Sequence, residues 1–290
     1  MEKMMTGASV VICTYNNDVE MVRSCVRSIL KQTEVPCELL IIDSSKDGKI
    51  KRYSQSLPEN VRYIHVPPKG LSYARNEGVK AAEYPIVAFT DPDCIVEKDW
   101  LKEIVIPFNL YDDIAIVGGK ILPLWHRKPP LLFRSEYAKF SLSTLDLGSE
   151  PRFLRDEEMI VGANFAADKE KIKDDGLFST RVGRRGSILL SGEETEICAR
   201  VRKHGYKVYY TPRAIVYHRI KDERLNYKWM MKRVYWGGLT RSILGRKLLL
   251  SKKEIGNALL NPYDIMYVVL FSLPYLLGYL YGKSKFIRRL

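Results

Sequence analysis

The residues best suited to chemistry are two carboxylates one residue apart, Asp91 and Asp93, at the end of the apolar run IVAFTDPDC (86–94). Where a strand ends in a turn, side chains at i and i+2 can point to the same side. Two hard oxygen donors placed that way can hold a divalent cation and leave positions open for a diphosphate. An acidic turn is common by itself, so its weight comes from its companions. About a hundred residues on, Glu193, Glu194 and Glu196 cluster behind Gly192 at a predicted helix start. Carboxylates are favourable there simply as partners of the helix dipole, and an adjacent pair can also supply a general base. His218 closes the strand-like run AIVYH and is either a third metal ligand or an ordinary surface imidazole. Thr14-Tyr15-Asn16 offers a ring to lie against a base and polar groups for its edge. Asp43 can accept from a base imide or a ribose hydroxyl. Arg75 is a permanent cation that can fix a phosphate or hold Asp91 and Asp93 in place, or form a structural salt bridge.

Such residues need a frame, and hydrophobic periodicity predicts one. ASVVIC (8–13) and ELLIID (38–43) are short apolar runs of the kind buried parallel strands show, and between them Val19, Val22, Val26, Ile29 and Leu30 recur at helical spacing. VRYIHV (61–66), a helix from about Ser72 to Ala82, PIVAFTD (85–91) and a helix from Trp100 continue the alternation. Alternating strand and helix predicts an α/β sandwich whose ligands sit at the carboxyl ends of the strands. Thr14, Asp43 and Asp91 all fall at such ends. From Leu122 to Asp156 four prolines break the periodicity, which predicts loops and short helices around an acceptor site. A helix from Glu193 to His204 then leads into two short strands, KVYYT and AIVYH.

The net charge of +13 is unevenly spread: residues 200–290 carry 20 Lys and Arg against 4 Asp and Glu, whereas residues 1–199 carry 27 against 30. The basic third contains LNYKWMMKRVYWGGLTRSILGRKLLL, the composition of a helix at a membrane interface. It also contains an uncharged run, Ile265–Tyr281, followed by KSKFIRRL. Seventeen residues is near the lower limit for spanning a bilayer, so the run predicts a span, a re-entrant anchor or a buried helix. The positive charge travels with this greasy segment rather than with a nucleic-acid-binding motif, which favours an anionic membrane surface as partner and no nucleic acid. No GxGxxG follows the first strand, which argues against a dinucleotide-dependent oxidoreductase. Five cysteines without CxxC or zinc-finger spacing predict neither a disulfide framework nor a zinc site. With no secretory signal at the amino terminus, they place catalysis in the cytoplasm.

Taken in order, VVICTYNN (10–17), LLIIDSSKDG (39–48), LSYARNEG (71–78), IVAFTDPDC (86–94), VGANFAADKE (161–170) and GEETEICARVRKHGYKVYYTPRAIVYH (192–218) resemble family 2 glycosyltransferases, over residues 8–218. The resemblance implies a GT-A fold: a Rossmann-like mixed sheet with flanking helices over residues 1–220, divided into a nucleotide-binding part (1–120) and an acceptor-side part (121–220). A helical, membrane-associating extension (221–290) follows, containing the hydrophobic segment 265–281. It further implies inverting transfer from a nucleotide-sugar donor, with a UDP-sugar favoured, to a hydroxyl of a glycan or lipid-linked acceptor at the cytoplasmic face of the membrane. The divalent metal would be Mn2+ or Mg2+. By the same resemblance Thr14, Tyr15, Asn16 and Asp43 are nucleotide contacts, Arg75 and Pro92 belong to the donor site, and Asp91 is a ribose or metal contact. Asp93 is the metal ligand, and His218 approaches the metal or the diphosphate. Glu194 is the base, with Glu193 as its alternative, and Gly162, Ala163 and Asn164 line the acceptor side. The family more often has Glu-Asp at 193–194, and Ser44-Ser45-Lys46-Asp47 is a looser version of its usual Asn-Gly-Ser-x-Asp loop. The oligomeric state is left open.

Overall fold

In the computed structural model, which describes residues 5–173, 176–247 and 261–287, strand β1 (Ala8–Thr14) lies between β2 (Cys37–Asp43) and β4 (Ile86–Thr90). With β3 (Val61–His65) outside β2, these four strands are parallel. β1, β2 and β4 are predominantly apolar and buried because both of their faces are covered. Helices α1 (Val19–Ile29) and α4 (Trp100–Leu110) pack on one face, and α3 (Leu71–Ala81) and α7 (Glu193–Lys203) on the other. The α1 sequence explains its own placement. Asp18 accepts hydrogen bonds from the backbone N–H groups of Glu20 (2.8 Å) and Met21 (3.2 Å), and Val22, Cys25, Val26 and Ile29 form one buried stripe. Two short helices, α2 (Lys49–Ser54) and α6 (Lys169–Lys173), complete the connections.

The order β3-β2-β1-β4-β8-β6-β9-β5 makes the sheet mixed. β8 (Asn164–Asp168) runs antiparallel between β4 and β6 (Ile114–Trp125), and β9 (Lys207–Ile220) runs parallel to β6. β5 (Cys94–Val96) and the two-residue β7 (Arg152–Phe153) pair with different stretches of β9. KVYYT and AIVYH, expected as two strands, are one strand. Its register against β6 slips between Gly119↔Thr211 and Lys120↔Ile215, so the apparent break is a bulge. β6 also runs on to Trp125, into the stretch expected to be loops. The 3-10 turn Leu131–Arg134 and α5 (Glu136–Ser141) occupy the next part of that stretch.

The carboxyl-terminal third forms a helical pair, α8 (Tyr227–Ile243) and α9 (Pro262–Ile287). α8 does not lie alone on a surface. Its Met230 and Val234 join Tyr267 and Phe271 of α9, together with Leu132 and Phe133, in an apolar cluster separate from those of the sheet. Residues 248–250 of the basic aromatic stretch and the last three residues of KSKFIRRL lie outside the described residues. Pro274 sits inside α9 without ending it, and Pro262–Ser284, with a mean hydropathy of 1.6, is long and apolar enough to cross a membrane. Val269, Leu273, Leu277 and Leu280 form its exposed stripe.

Glycine sets how closely α8 and α9 approach. A Cβ on Gly278 would stand 1.9 Å from the Tyr235 carbonyl oxygen, and one on Gly238 would stand 2.0 Å from that of Tyr275. Gly278 and Gly282 form a G-x-x-x-G pattern in GYLYG, the small-residue signature of close helix pairs in apolar segments. Gly278→Val is expected to cost about 1–3 kcal/mol of stability through overpacking. A thermal midpoint unchanged from wild type would contradict a direct backbone contact at this seam.

Candidate active site

At the end of β4 the Thr90 hydroxyl donates to the Ala163 carbonyl (2.9 Å), and the chain then turns sharply. The Cys94 N–H donates to the Asp91 carbonyl (3.0 Å), closing Asp91-Pro92-Asp93 into a turn that β5 continues. Asp91, Pro92 and Asp93 thereby line a cavity of about 1440 Å³, together with Thr14 and Tyr15 at the end of β1, Arg75 on α3, Gly162, Ala163, Glu193 and Glu194. That volume exceeds the roughly 300–1,000 Å³ of a single small-ligand site and has room for two substrates.

Arg75 is buried at the centre of the constellation. Its Nη1 donates to Glu193 Oε1 (2.9 Å) and Glu194 Oε1 (3.2 Å), its Nη2 donates to the Gly162 carbonyl (3.1 Å), and Asp91 Oδ1 stands 3.8 Å from Nη2. The rings of Phe89, Phe165 and Phe178 lie 5.5–6.0 Å from the guanidinium carbon. Burial alone would lower the Arg75 pKa, but Glu194, Glu193 and Asp91 outweigh it and hold the side chain charged. A Cβ on Gly162 would stand 1.8 Å from Glu194 Oε1 and 2.4 Å from Arg75 Nη2, so a larger residue there would displace both side chains.

The carboxylates differ in their surroundings. Burial, reinforced by Glu194, pushes Glu193 up to about 7 against the pull of Arg75. Burial and the neighbouring Asp93 likewise raise Asp91. Burial would also raise Asp93, but His218, with Arg224 and Arg184, outweighs burial and holds it well below the usual carboxylate range. Because the folded chain keeps the Glu193 proton more readily than the unfolded chain, its contribution to stability is full below about pH 4.5 and is lost as pH rises through about 7. Glu193→Gln is expected to flatten this part of the stability profile, measured as denaturation midpoints across that window. An unchanged slope would remove Glu193 as its source.

Asp93 Oδ2 faces His218 Nε2 at 3.4 Å. Arg224 places Nη1 3.3 Å from His218 Nε2 and Nη2 3.4 Å from Asp93 Oδ2. A carboxylate oxygen and an imidazole nitrogen turned toward each other at this distance could also ligate one divalent ion, the imidazole being neutral when it does so. Cys94 stands in the same cluster, but burial keeps its thiol protonated and makes it a poor ligand. All five cysteines are free.

Four of the anticipated residues, Asn16, Asp43, Asn164 and His218, do not line the cavity. Asp43 is fully buried beneath it, accepting from Thr14 Oγ1 (2.8 Å), the Ser45 N–H (3.0 Å) and Tyr63 OH (3.0 Å), so it braces the loops rather than facing a ligand. Asn16, at a φ of 53°, is exposed and donates its N–H to Ser45 Oγ (2.8 Å). Asn164 is fully buried, accepting from Trp100 Nε1 (2.8 Å) and donating to the carbonyls of Lys120 and Ala214 (2.8 Å each). It therefore joins strands rather than facing an acceptor. His218 is buried behind Asp93. Sequence reasoning missed Arg184, Arg224 and Arg233, which line the cavity. The basic, glycine-flanked run RVGRRG (181–186) was a signal for the first. Its loop is tied to the start of α3 by the Leu71 N–H donating to the Arg184 carbonyl (2.9 Å) and Ser72 Oγ donating to that of Val182 (2.9 Å).

The chain is similar to several known proteins. Residues 9–134 match the model of glycosyl transferase family 2. A glucosyl-dolichyl phosphate glucuronosyltransferase of Haloferax volcanii is 26% identical over 266 residues, covering 90% of this chain and 84% of that protein. An O-antigen chain rhamnosyltransferase of Salmonella anatum is 27% identical over 217 residues, covering 74% of this chain and 66% of its own length. Among solved structures, a mannosyltransferase from Pyrobaculum calidifontis in complex with GDP-Man and Mn2+ superposes with a TM-score of 0.65 at 15% identity, covering 96% of this chain and 87% of its own. GalNAc-T7 with UDP, GalNAc and Mn2+ gives 0.61 at 18% identity, over 83% and 51%. The fold is GT-A.

Proposed function

The chain belongs to glycosyl transferase family 2, and from that premise we propose that it moves a sugar, with inversion, from a nucleoside-diphosphate sugar to a hydroxyl of a glycan or lipid-linked acceptor at the cytoplasmic face of a membrane. One observation carries the reading: a single buried guanidinium, Arg75, ties the Glu193-Glu194 pair to the Asp91-Pro92-Asp93 turn across one cavity. Base and donor site are thereby held in one frame. Thr14 and Tyr15 receive the nucleotide on the side of the cavity at the end of β1. Glu194 takes the proton of the acceptor hydroxyl as that oxygen attacks the anomeric carbon from the face opposite the leaving nucleoside diphosphate. Asp93 and His218 would hold a divalent ion, Mn2+ or Mg2+, whose chemistry when bound is to neutralise charge on the departing diphosphate. The location is supported by the free cysteines, the basic carboxyl-terminal third and the apolar face of α9.

The test is a donor screen by nucleotide release, with UDP- and GDP-sugars offered in Mn2+ and in Mg2+ and the anomeric configuration of the product determined. Release with no donor, or a product of retained configuration, would sink the proposal. Asp93→Asn is expected to weaken Mn2+ binding by at least about tenfold, comparable to losses seen around other metal sites, followed by electron paramagnetic resonance titration. Unchanged affinity would exclude Asp93 as the ligand.

A further inference from the structure

The cavity has a second half that the transfer chemistry leaves unused. Beyond Glu193 and Glu194 it passes Ser191 and reaches the seam of α8 and α9, where Val234, Phe271, Leu273 and Leu276 line it. Leu273 and Leu276 are also among the exposed residues of α9, so the apolar wall of the cavity continues onto the apolar outside of the helix.

Arg184 and Arg233 both line the cavity. Arg233 is steered from α8 by carbonyls and a hydroxyl: Nε donates to the Ser141 carbonyl (3.3 Å), and Nη1 donates to that of Leu189 (3.4 Å) and to Ser191 Oγ (3.2 Å). Three other cations of the cavity have carboxylates to match. Arg75 pairs with Glu193 and Glu194, Arg224 with Asp93, and Lys139 with Glu136 at 2.7 Å. Arg184 and Arg233 form no ion pair among the described residues. Desolvation, together with the charge of Arg184, pushes Arg233 down to about 10, and desolvation with Arg224 also lowers Arg184. Two guanidiniums partly removed from water, one of them disfavoured by the other's charge, line a place that an anion stabilises, and their planar forks suit phosphate oxygens. What lies beyond them is hydrocarbon.

On the reading that the chain glycosylates a membrane-borne acceptor, we infer that Arg184 and Arg233 hold the phosphate of a lipid-phosphate acceptor whose hydrocarbon chain runs along the α8–α9 seam and out past Leu273 and Leu276. A sugar hydroxyl next to that phosphate then lies on the Glu194 side of the cavity, and the hydrocarbon chain leaves directly into the bilayer that the face of α9 meets.

The probes are dodecyl phosphate below its micelle-forming concentration, dodecanol and inorganic phosphate, each titrated onto the full chain. UDP and GDP with Mn2+ are measured alongside. Dodecyl phosphate is expected to bind at least about tenfold more tightly than dodecanol or phosphate, which is about 1.4 kcal/mol. Arg233→Gln should remove that advantage and Arg233→Lys should keep part of it, with melting temperatures distinguishing lost binding from lost fold. Nucleotide affinity should stay within about twofold in both variants, well under the tenfold step. Dodecyl phosphate binding no tighter than dodecanol, or Arg233→Gln weakening nucleotide as much as dodecyl phosphate, overturns the inference and leaves the transferase reading intact. Failure of the wild-type chain to bind either nucleotide in Mn2+ instead overturns the transferase reading.

Discussion

Glu194→Gln is expected to lower kcat by about 10²- to 10⁴-fold, the usual contribution of a positioned general base, with little change in nucleotide affinity. The choice of Glu194 over Glu193 rests on access. Both accept from Arg75 Nη1, but the Glu193 side chain is 2% exposed whereas that of Glu194 is 14% exposed and has the bare backbone of Gly162 beside it. Glu193 is sealed in as the partner of the guanidinium, and Glu194 reaches an incoming hydroxyl. The amide keeps the shape of the side chain and an oxygen for Arg75, but it cannot take a proton. The loss should therefore appear in kcat and not in the melting temperature. Glu193→Gln should cost less in kcat and show its effect mainly in stability. Steady-state nucleotide release by both variants decides the matter. A Glu194→Gln enzyme within a few fold of wild type would move the base elsewhere.

The donor half of this arrangement was legible because its signals are local. β1, β2 and β4 are buried on both faces, so their apolar runs stand out, and the polar residues that end them, Thr14, Asp43 and Asp91, mark the edge where the sheet meets the cavity. The acidic turn and the Glu pair were legible by type, and their meeting was not. Arg75 is 118 residues from Glu193, and nothing short of the fold shows that one side chain serves both. The same limit explains Asp43 and Asn164. A polar residue at a strand end reads as facing a ligand, yet Asp43 turns inward to three donors and Asn164 bridges Trp100 to the strand carbonyls. Composition described the carboxyl-terminal third as interfacial, but its organising feature is steric. Gly238 and Gly278 let α8 and α9 touch backbone to backbone, and G-x-x-x-G carried that information in plain sight.

Arg75→Met should be among the most damaging single changes in the chain, and it should damage stability and chemistry together. Removing one partner from a buried ionic cluster typically costs about 3–5 kcal/mol, because the remaining charges lose their compensation where water cannot reach them. Here the remainder is Glu193 and Glu194 side by side, with Asp91 close to the same point. Methionine fills volume among Phe89, Phe165 and Phe178 but leaves two carboxylates to repel. The pair can relieve that repulsion by keeping a proton. With Arg75 present, Glu193 is already pushed up to about 7. Without the guanidinium Glu193 must rise further, so the pair keeps its proton to higher pH and the acidic limb of the kcat–pH profile should move to higher pH. Arg75→Lys should fall between the two, since an ammonium keeps the charge but cannot address the glutamates and the Gly162 carbonyl with a rigid fork. The double variant Arg75→Met with Glu193→Gln provides the discriminating result. If unpaired charge is the cause, removing one carboxylate should restore part of the lost stability, so that the second change stabilises. If the second change costs as much in the Arg75→Met background as it does alone, the two residues are not coupled, and Arg75 is holding the fold by packing rather than by charge.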